Sequence, residues 1–452
     1  MKAINPATNE LIKDYREHTP EEVAQIIEKV QHEFLSWREV GFPQRAELMH
    51  NAAEILRRNK DNYARTITIE MGKTITESRA EVEKSAWVCD YYADNAEKFL
   101  ADEIVETDAS RSFVAFQPLG IVLAVMPWNF PYWQVFRFAA PALMAGNAGV
   151  LKHASNVPGS ALDIESIFRE AGFPENIFRT LLIGAGQVEA VIKNEQVKAV
   201  TLTGSEPAGM QVAATAGREL KKTVLELGGS DPYIVLEDAE INACVNTAVT
   251  ARMINAGQSC IAAKRFIVVE PMLKQFEDTH TQLMKNMKIG DPLAEETQVG
   301  AMARMDLLEE LDQQVQKSIE LGARLLCGGR KADANGAFYL PTVLTDVKKG
   351  MPAYGEETFG PVSAIIPVKD AKEAIQVAND SPFGLGGSVW SRDLLKAEKI
   401  ARRIESGAVF INGMTKSDPR LPFGGIKKSG YGRELSHYGI REFVNIKTIW
   451  IA

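Results

Sequence analysis

The chain has 452 residues, 45% of them hydrophobic and 24% charged, and its 59 Asp and Glu exceed its 51 Lys and Arg to give a formal net charge of −8. At about 100–200 residues per domain this is a folded globular protein of several domains, which excludes a small disulfide scaffold and a disordered tail. The acidic excess is spread along the chain without a basic block, so nucleic acid and an anionic membrane are not expected partners, whereas a small anionic substrate stays open.

The opening MKAINPATNE has no apolar core of the kind a secretory signal needs. Thr19 then reads as the N-cap of a helix over Pro20 to Val40, with Val23, Ile26, Ile27, Val30 and Phe34 on one stripe. Gln44 to Glu70 and Ile75 to Phe99 carry the same helical pattern. Residues 102–118 alternate and are too polar for a core helix, which predicts a two-stranded excursion. The charge-free run from Ser112 to Phe136 is long enough to cross a bilayer. It also holds Gln117, Pro118, Pro127, Asn129, Pro131 and Gln134, polar and helix-breaking groups that lipid would leave unsatisfied, and so reads as buried strand, loop and helix start.

Strand-like runs at Gly120 to Met126, Gly149 to Leu151, Ala199 to Thr203 and Lys222 to Leu225 alternate with helical ones at Val157 to Ala171, Val188 to Asn194 and Ala208 to Leu220. That is the rhythm of a parallel sheet flanked by helices. After Gly228-Gly229 a second α/β stretch begins. Its predicted strands are Tyr233 to Leu236, Arg265 to Val269, Ala364 to Val368, Gly386 to Val389 and Ala408 to Ile411. Its predicted helices are Ile241 to Ile254, Pro271 to Met287, Met305 to Leu321 and Ala371 to Asn379. Gly439 to Ile449 returns to a β-like pattern. The four cysteines, Cys89, Cys244, Cys260 and Cys327, are far apart with no CxxC pair or Cys/His cluster, so no disulfide framework and no metal site is signalled and the cytoplasm is the expected compartment.

Two turns resemble phosphate-binding loops. Gly184-Ala185-Gly186-Gln187-Val188-Glu189 nearly fits GxGxxG, but Glu189 stands where the last glycine permits close helix packing, and it reads as a plain loop. Thr203-Gly204-Ser205-Glu206-Pro207-Ala208-Gly209 follows a strand and opens a helix, whose free N–H groups can hold a pyrophosphate; an ordinary βα turn has the same pattern. Cys260, in NAGQSC between a helix and a strand, is either a packing residue or a nucleophile, and a nucleophile needs positive or dipolar surroundings and partial access. Glu226 ends an apolar strand beside Gly228-Gly229, as a solvated terminus or a carboxylate facing a cleft. Asn129 in PWNFP is a turn residue or an amide aimed at a developing oxyanion.

Together and in order, PWNFP at 127, LKHAS at 151, LTGS at 202, LELGGS at 225, NAGQSC at 255, EETFGP at 356 and PFGGIKKSGYGRE at 422 make the chain resemble the aldehyde dehydrogenase superfamily over nearly its whole length. The resemblance implies an α/β fold with a Rossmann-type cofactor domain at 1–228, interrupted by a hairpin at 100–118. It further implies an α/β catalytic domain at 229–432 and a small β oligomerisation element made of 100–118 plus 433–452. Homodimers or homotetramers are the expected assemblies.

By the same resemblance Cys260 is the nucleophile, Asn129 with the Cys260 N–H the oxyanion site, and Glu226 the base that activates water against a thioester. Trp128, Lys152, Ser155, Gly204, Ser205, Leu227, Glu357 and Phe359 are the cofactor contacts. Position 155 is informative, because many NAD-preferring relatives carry Glu there and a carboxylate repels the extra phosphate of NADP. The neutral Ser155 beside Lys152 implies NADP preference with weaker NAD use. His153 departs from the proline common at its position.

Within the superfamily the likeness is strongest to short bacterial succinate semialdehyde dehydrogenases, through PWNFPYWQVFR, LKHASN, VLELGGSDPYIVL, INGMTKSD and GIKKSGYGRELSHYG. A substrate with a distal carboxylate needs a fixed cation, and Arg137 matches the family's arginine, with Ser417 as a hydroxyl contact. A second arginine expected six residues before the nucleophile is absent: Ile254 stands there, and the nearest is Arg252. Glutarate semialdehyde or an unsubstituted aldehyde is the alternative substrate. Transfer of the acyl group to CoA is disfavoured by Glu226, and a non-catalytic role by the retention of Cys260, Glu226, Asn129 and Lys152.

Overall fold

The computed structural model describes residues 1–332 and 335–452. The chain opens with an antiparallel hairpin, β1 (Lys2–Asn5) and β2 (Glu10–Asp14), which the sequence reading lacked. Helices α1 (Pro20–Trp37), α2 (Phe42–Arg58), α3 (Lys60–Met71) and α4 (Ile75–Phe99) follow. Thr19 and Glu22 form a reciprocal capping box at the start of α1, and all five residues of its expected stripe are buried. The single helix expected over Gln44 to Glu70 is two: Asn59, with φ −105° and ψ 19°, leaves helical geometry and separates α2 from α3. Asparagine suits such a junction because its short amide tolerates non-helical backbone.

A three-stranded antiparallel sheet joins β3 (Glu103–Ile104) and β4 (Arg111–Pro118) to a strand far along the chain. The charge-free Ser112 to Phe136 run is most of β4, all of β5 (Ile121–Met126), a loop and the first turn of α5 (Trp133–Met144). Among the described residues no helix is long and apolar enough to cross a membrane. Next come β6 (Ala148–His153), α6 (Pro158–Glu170), β7 (Phe178–Thr180), α7 (Val188–Lys193), β8 (Val197–Thr203), α8 (Glu206–Arg218) and β9 (Lys222–Glu226). The expected loop at 184–189 is a short 3-10 turn running into α7.

The second half contains β10 (Asp231–Val235), α9 (Ile241–Met253), β11 (Ala263–Val269), α10 (Glu270–Lys285) and α11 (Met305–Glu320). It continues with β12 (Arg324–Cys327), β13 (Thr342–Thr345), β14 (Val362–Val368), β15 (Ser388–Trp390), β16 (Phe410–Ile411), β17 (Gly430–Tyr431) and β18 (Val444–Ile451). The β-like reading of Gly439 to Ile449 holds only from Val444, because Ser436–Ile440 is helical.

The first large sheet has the order β17-β9-β8-β5-β6-β7 and is parallel except for β17; the second runs β12-β13-β14-β11-β10-β15-β16 and is parallel except for β12. Strands flanked by helices on both faces read as largely apolar runs, and β6 is buried at every residue, its Lys152 and His153 included. In the second sheet the alternation of the pleat divides the core in two. Tyr233 and Val235 join one apolar cluster, Ile234 and Leu236 the other. Strand order in the first sheet reverses between β5 and β8, and ligands of open α/β sheets gather outside strand ends at such a switch point. The PWNFP loop leaves β5 there, and the turn at Gly204 leaves β8.

Candidate active site

Cys260 sits on a turn built from backbone that most side chains avoid. After α9 the φ angles of Asn255, Ala256 and Gly257 are 53°, 51° and 78°, left-handed values that cost non-glycine residues about 1–3 kcal/mol each. Side-chain bonds hold the turn in place. Asn255 Nδ2 donates to Asn129 O at 2.8 Å, and the Asn255 N–H donates to Glu77 Oε1 at 2.7 Å. Fully buried Arg252 donates to the carbonyls of Gly257 (2.6 Å), Gly360 (2.8 Å), Ala263 (3.1 Å) and Thr358 (3.3 Å). A Cβ on Gly257 would stand 2.1 Å from Gly360 O, so only glycine lets these two loops meet.

The Asn129 amide is oriented from both ends. Its Oδ1 accepts from Gln134 Nε2 at 3.1 Å, and its Nδ2 donates one hydrogen to Gln258 O at 3.0 Å, which leaves the other N–H for a ligand. Cys260 and Asn129 line the same groove, a cavity of about 590 Å³, together with Trp128, Gly204, Ser205, Leu227, Glu357 and Phe359. Half-buried Cys260 is a thiol at rest, since burial pushes it up to about 12, while Lys264 and Arg137 pull in the opposite direction. Lys264 Nζ donates to the carbonyls of Ser259 (2.9 Å) and Cys260 (2.8 Å) and lies 3.3 Å from Glu357 Oε1. Glu357 also accepts the Gly229 N–H at 3.0 Å, and a Cβ at Gly228 would come within 2.4 Å of its Oε2.

Glu226, the last residue of β9, is buried, and neither carboxyl oxygen has a hydrogen-bond partner among the described residues. Burial holds it well above the usual carboxylate range; Glu434 adds to this, whereas Arg137 and Arg433 oppose it. Arg137, on α5, is buried too. It is ion-paired through Nε with Glu434, donates to Thr203 Oγ1 at 3.3 Å and lies 4.7 Å from the Phe423 ring centroid. The expected cation is therefore present beside the site, but its charge is already matched by a carboxylate.

The expected cofactor positions divide between two places. Trp128 and Phe359 meet edge to face, with centroids 5.7 Å apart, in the groove. Ser205 is the N-cap of α8 and makes no side-chain cap bond, and since Pro207 has no N–H the free donors of the first turn are those of Glu206 and Ala208. A Cβ on Gly209 would lie 2.6 Å from Leu227 Cδ2, so the glycine lets α8 pack close to that residue. Lys152 and Ser155 lie outside the groove lining, at and just beyond the end of β6. Lys152 is nearly buried and lowered by desolvation; Ser155 is exposed. His153 between them locks the loop: its Nε2 donates to Pro131 O at 2.9 Å while its Nδ1 accepts the Ala154 N–H at 2.9 Å. This neutral tautomer fits a ring that burial pushes down to about 4, and it ties β6 to PWNFP, as proline could not.

At the expected carboxylate site, Ser417 is buried and accepts from Lys84 Nζ at 2.8 Å. Arg252 cannot act there, because its donors go to backbone carbonyls, and Ile254 begins the 3-10 turn at 254–257. Glu434 ends the PFGGIKKSGYGRE motif and Lys264 stands four residues after Cys260, yet spacing alone assigned them no contact. Lys84 belongs to a helical run with no motif at all.

The aldehyde dehydrogenase family model matches residues 1–449. The chain belongs to the aldehyde dehydrogenase family. It is 54% identical over 452 residues to a probable succinate-semialdehyde dehydrogenase [NADP(+)] of Synechocystis, each chain being covered in full. To succinate-semialdehyde dehydrogenase [NADP(+)] 1 of Mycobacterium bovis it is 50% identical over 455 residues, again with full coverage of both. Its structure is similar to that of the Streptococcus pyogenes succinic semialdehyde dehydrogenase in complex with NADP+, with a TM-score of 0.98, 41% identity and coverage of 100% of this chain and 99% of that one.

Two outcomes follow for this aldehyde dehydrogenase. Because the Cys260 thiol is held up to about 12, its thiolate fraction increases as pH rises, and alkylation of the ligand-free protein by iodoacetamide should accelerate about ten-fold per pH unit from 7 to 10 without levelling. Arg252→Met should lower the free energy of unfolding in urea by about 3 kcal/mol, since four buried carbonyls lose a charged donor.

Proposed function

We propose that the protein oxidises succinate semialdehyde to succinate, with NADP+ preferred over NAD+. The observation that carries this reading is a thiol and an oriented amide, Cys260 and Asn129, in one groove whose neighbouring strand end offers Lys152 and a neutral Ser155. The relatives named for NADP-dependent succinate semialdehyde oxidation support it along the whole chain.

The residues fit a dinucleotide. The uncapped N-terminus of α8 at Ser205 suits a pyrophosphate, Gly204 and Leu227 flank it in the groove, and Trp128, Glu357 and Phe359 line the rest. Lys152 has no carboxylate within ion-pair distance among the described residues and suits a ribose phosphate. When bound, the nicotinamide supplies a hydride acceptor.

Once ionised, the Cys260 thiolate attacks the aldehyde carbon, and the alkoxide that forms is held by the free Asn129 Nδ2–H and the Cys260 N–H. Such a donor typically contributes about 10²–10³ in rate. Loss of hydride from the thiohemiacetal leaves a thioester on Cys260. Ionised Glu226 takes a proton from water, the hydroxide adds to the thioester carbonyl, and collapse releases the carboxylate and the sulfur. Arg137 and Ser417 bind the distal carboxylate of the substrate.

The domain reading also stands as part of this proposal: cofactor binding by 1–228, catalysis by 229–432 and oligomerisation through 100–118 with 433–452. The three-stranded sheet carries exposed Ile104, Ile446, Trp450 and Ile451, with Val105 just beyond β3, an apolar surface suited to a homodimer or homotetramer contact. Four free cysteines accord with a cytoplasmic enzyme.

Replacing Ser155 with Glu should lower the NADP/NAD ratio of kcat/KM by about ten-fold or more, since the new carboxylate faces a phosphate. An unchanged ratio would remove the cofactor assignment. Glu226→Gln should keep a stoichiometric burst of reduced cofactor at 340 nm and then turn over slowly. In the wild type steady-state turnover should rise with pH, because a carboxyl held above its usual range gains its basic form as pH increases. Loss of the burst itself would assign Glu226 to an earlier step.

A further inference from the structure

Lys84 is a half-buried cation on α4, far in sequence from every motif of the site. Its Nζ donates to Ser417 Oγ at 2.8 Å and lies 4.2 Å from the Trp133 ring centroid. The charged groups facing it are Glu81 on its own helix, Arg137 on α5, and Lys416 and Asp418 in the loop that carries Ser417. Both carboxylates are already engaged. Glu81 is ion-paired with Lys73 and accepts the N–H groups of Tyr132 (2.8 Å) and Trp133 (3.1 Å), while Asp418 takes a bidentate bond from Arg420 at 2.6 and 2.9 Å. Arg137 is matched by Glu434. Among the described residues Lys84 thus has no carboxylate partner, and the positive charge it holds beside Ser417 is uncompensated.

An unpaired, partly desolvated ammonium is costly unless an anion joins it. Burial accordingly pushes Lys84 down to about 8, and Arg137 adds to the effect. The hydrogen bond has a useful direction. Ser417 accepts from Lys84, so its own hydroxyl hydrogen is free to donate, and Lys84 keeps two further N–H donors.

We propose that Lys84 is the second cation of the substrate carboxylate site, holding the distal carboxylate together with Arg137 and the Ser417 hydroxyl in place of the arginine absent at position 254. This rests on the reading of the substrate as a semialdehyde with a distal carboxylate. Lys84 then determines specificity without touching the reacting carbon.

The test compares succinate semialdehyde with butanal, which has the same chain length and no carboxylate, at saturating NADP. Lys84→Met should raise KM for succinate semialdehyde by about 10- to 100-fold with a much smaller change in kcat, and alter kcat/KM for butanal by less than about three-fold. Lys84→Arg should recover most of the difference. In the wild type the ratio of kcat/KM for the two aldehydes should fall by roughly ten-fold between pH 7.5 and 9.5, as the ammonium deprotonates, and groups common to both substrates cancel from that ratio. In Lys84→Arg the ratio should stay flat, because guanidinium does not titrate there. Equal losses for both aldehydes in Lys84→Met, or a wild-type ratio independent of pH, would overturn the proposal. A wild type that does not favour succinate semialdehyde over butanal would instead remove the substrate reading, and this proposal with it.

Discussion

Around Cys260, buried cations bond to backbone carbonyls more than to carboxylates, and the geometry of the candidate site depends on this. Arg252, Lys264 and Arg265 flank Cys260 in sequence and are all nearly inaccessible. Arg252 ties the Cys260 turn to the loop at 358–360, and Lys264 gathers the carbonyls on both sides of Cys260. Arg265 bonds Ser230 O and the last carbonyls of the helix at 371–379, where a cation also meets the negative end of the helix dipole. A carbonyl offers partial charge without a full counter-ion, so part of each cation's field still reaches its surroundings. Strained backbone at Asn255 and Ala256 persists because these bonds over-determine it.

The same dryness sets the resting state. Burial favours the neutral forms of both Cys260 and Glu226, the two groups that the proposed mechanism requires to ionise. Glu434 reinforces this for Glu226 and Arg137 opposes it. Their ion pair sits beside Glu226 and presents a negative and a positive group at once, so small displacements of Arg137 toward a ligand would change the field on Glu226. In the proposed mechanism this links substrate binding and the base strength of Glu226 through one guanidinium.

Much of the fold and part of the site were legible in the sequence. Short segments such as PWNFP, LTGS and NAGQSC are constrained locally by proline, glycine and cap residues, and they lie where expected, at strand ends and a sharp turn. The helices α1 and α4 were readable from their stripes and caps. The break at Asn59 was not, because the apolar period continues across it. Short strands such as Phe178–Thr180 and Thr342–Thr345 have too few residues to show alternation. Pairings across long separations were hidden for another reason. Nothing local in the run around Lys84 encodes Ser417, and nothing around Arg137 encodes Glu434; those meetings are products of tertiary packing.

The edge strand β17 has a kinetic corollary. By pairing antiparallel with β9 it brings the segment around Gly424 and Glu434 against Glu226, some two hundred residues earlier in the chain. Loop-closure entropy makes contacts of such separation late and cooperative events in folding. The first sheet can acquire its parallel core before the environment of Glu226 exists. The Cys260 turn waits on contacts of the same kind, through Glu77, Asn129 and Gly360, so both parts of the candidate site are completed only when segments from across the whole chain have met.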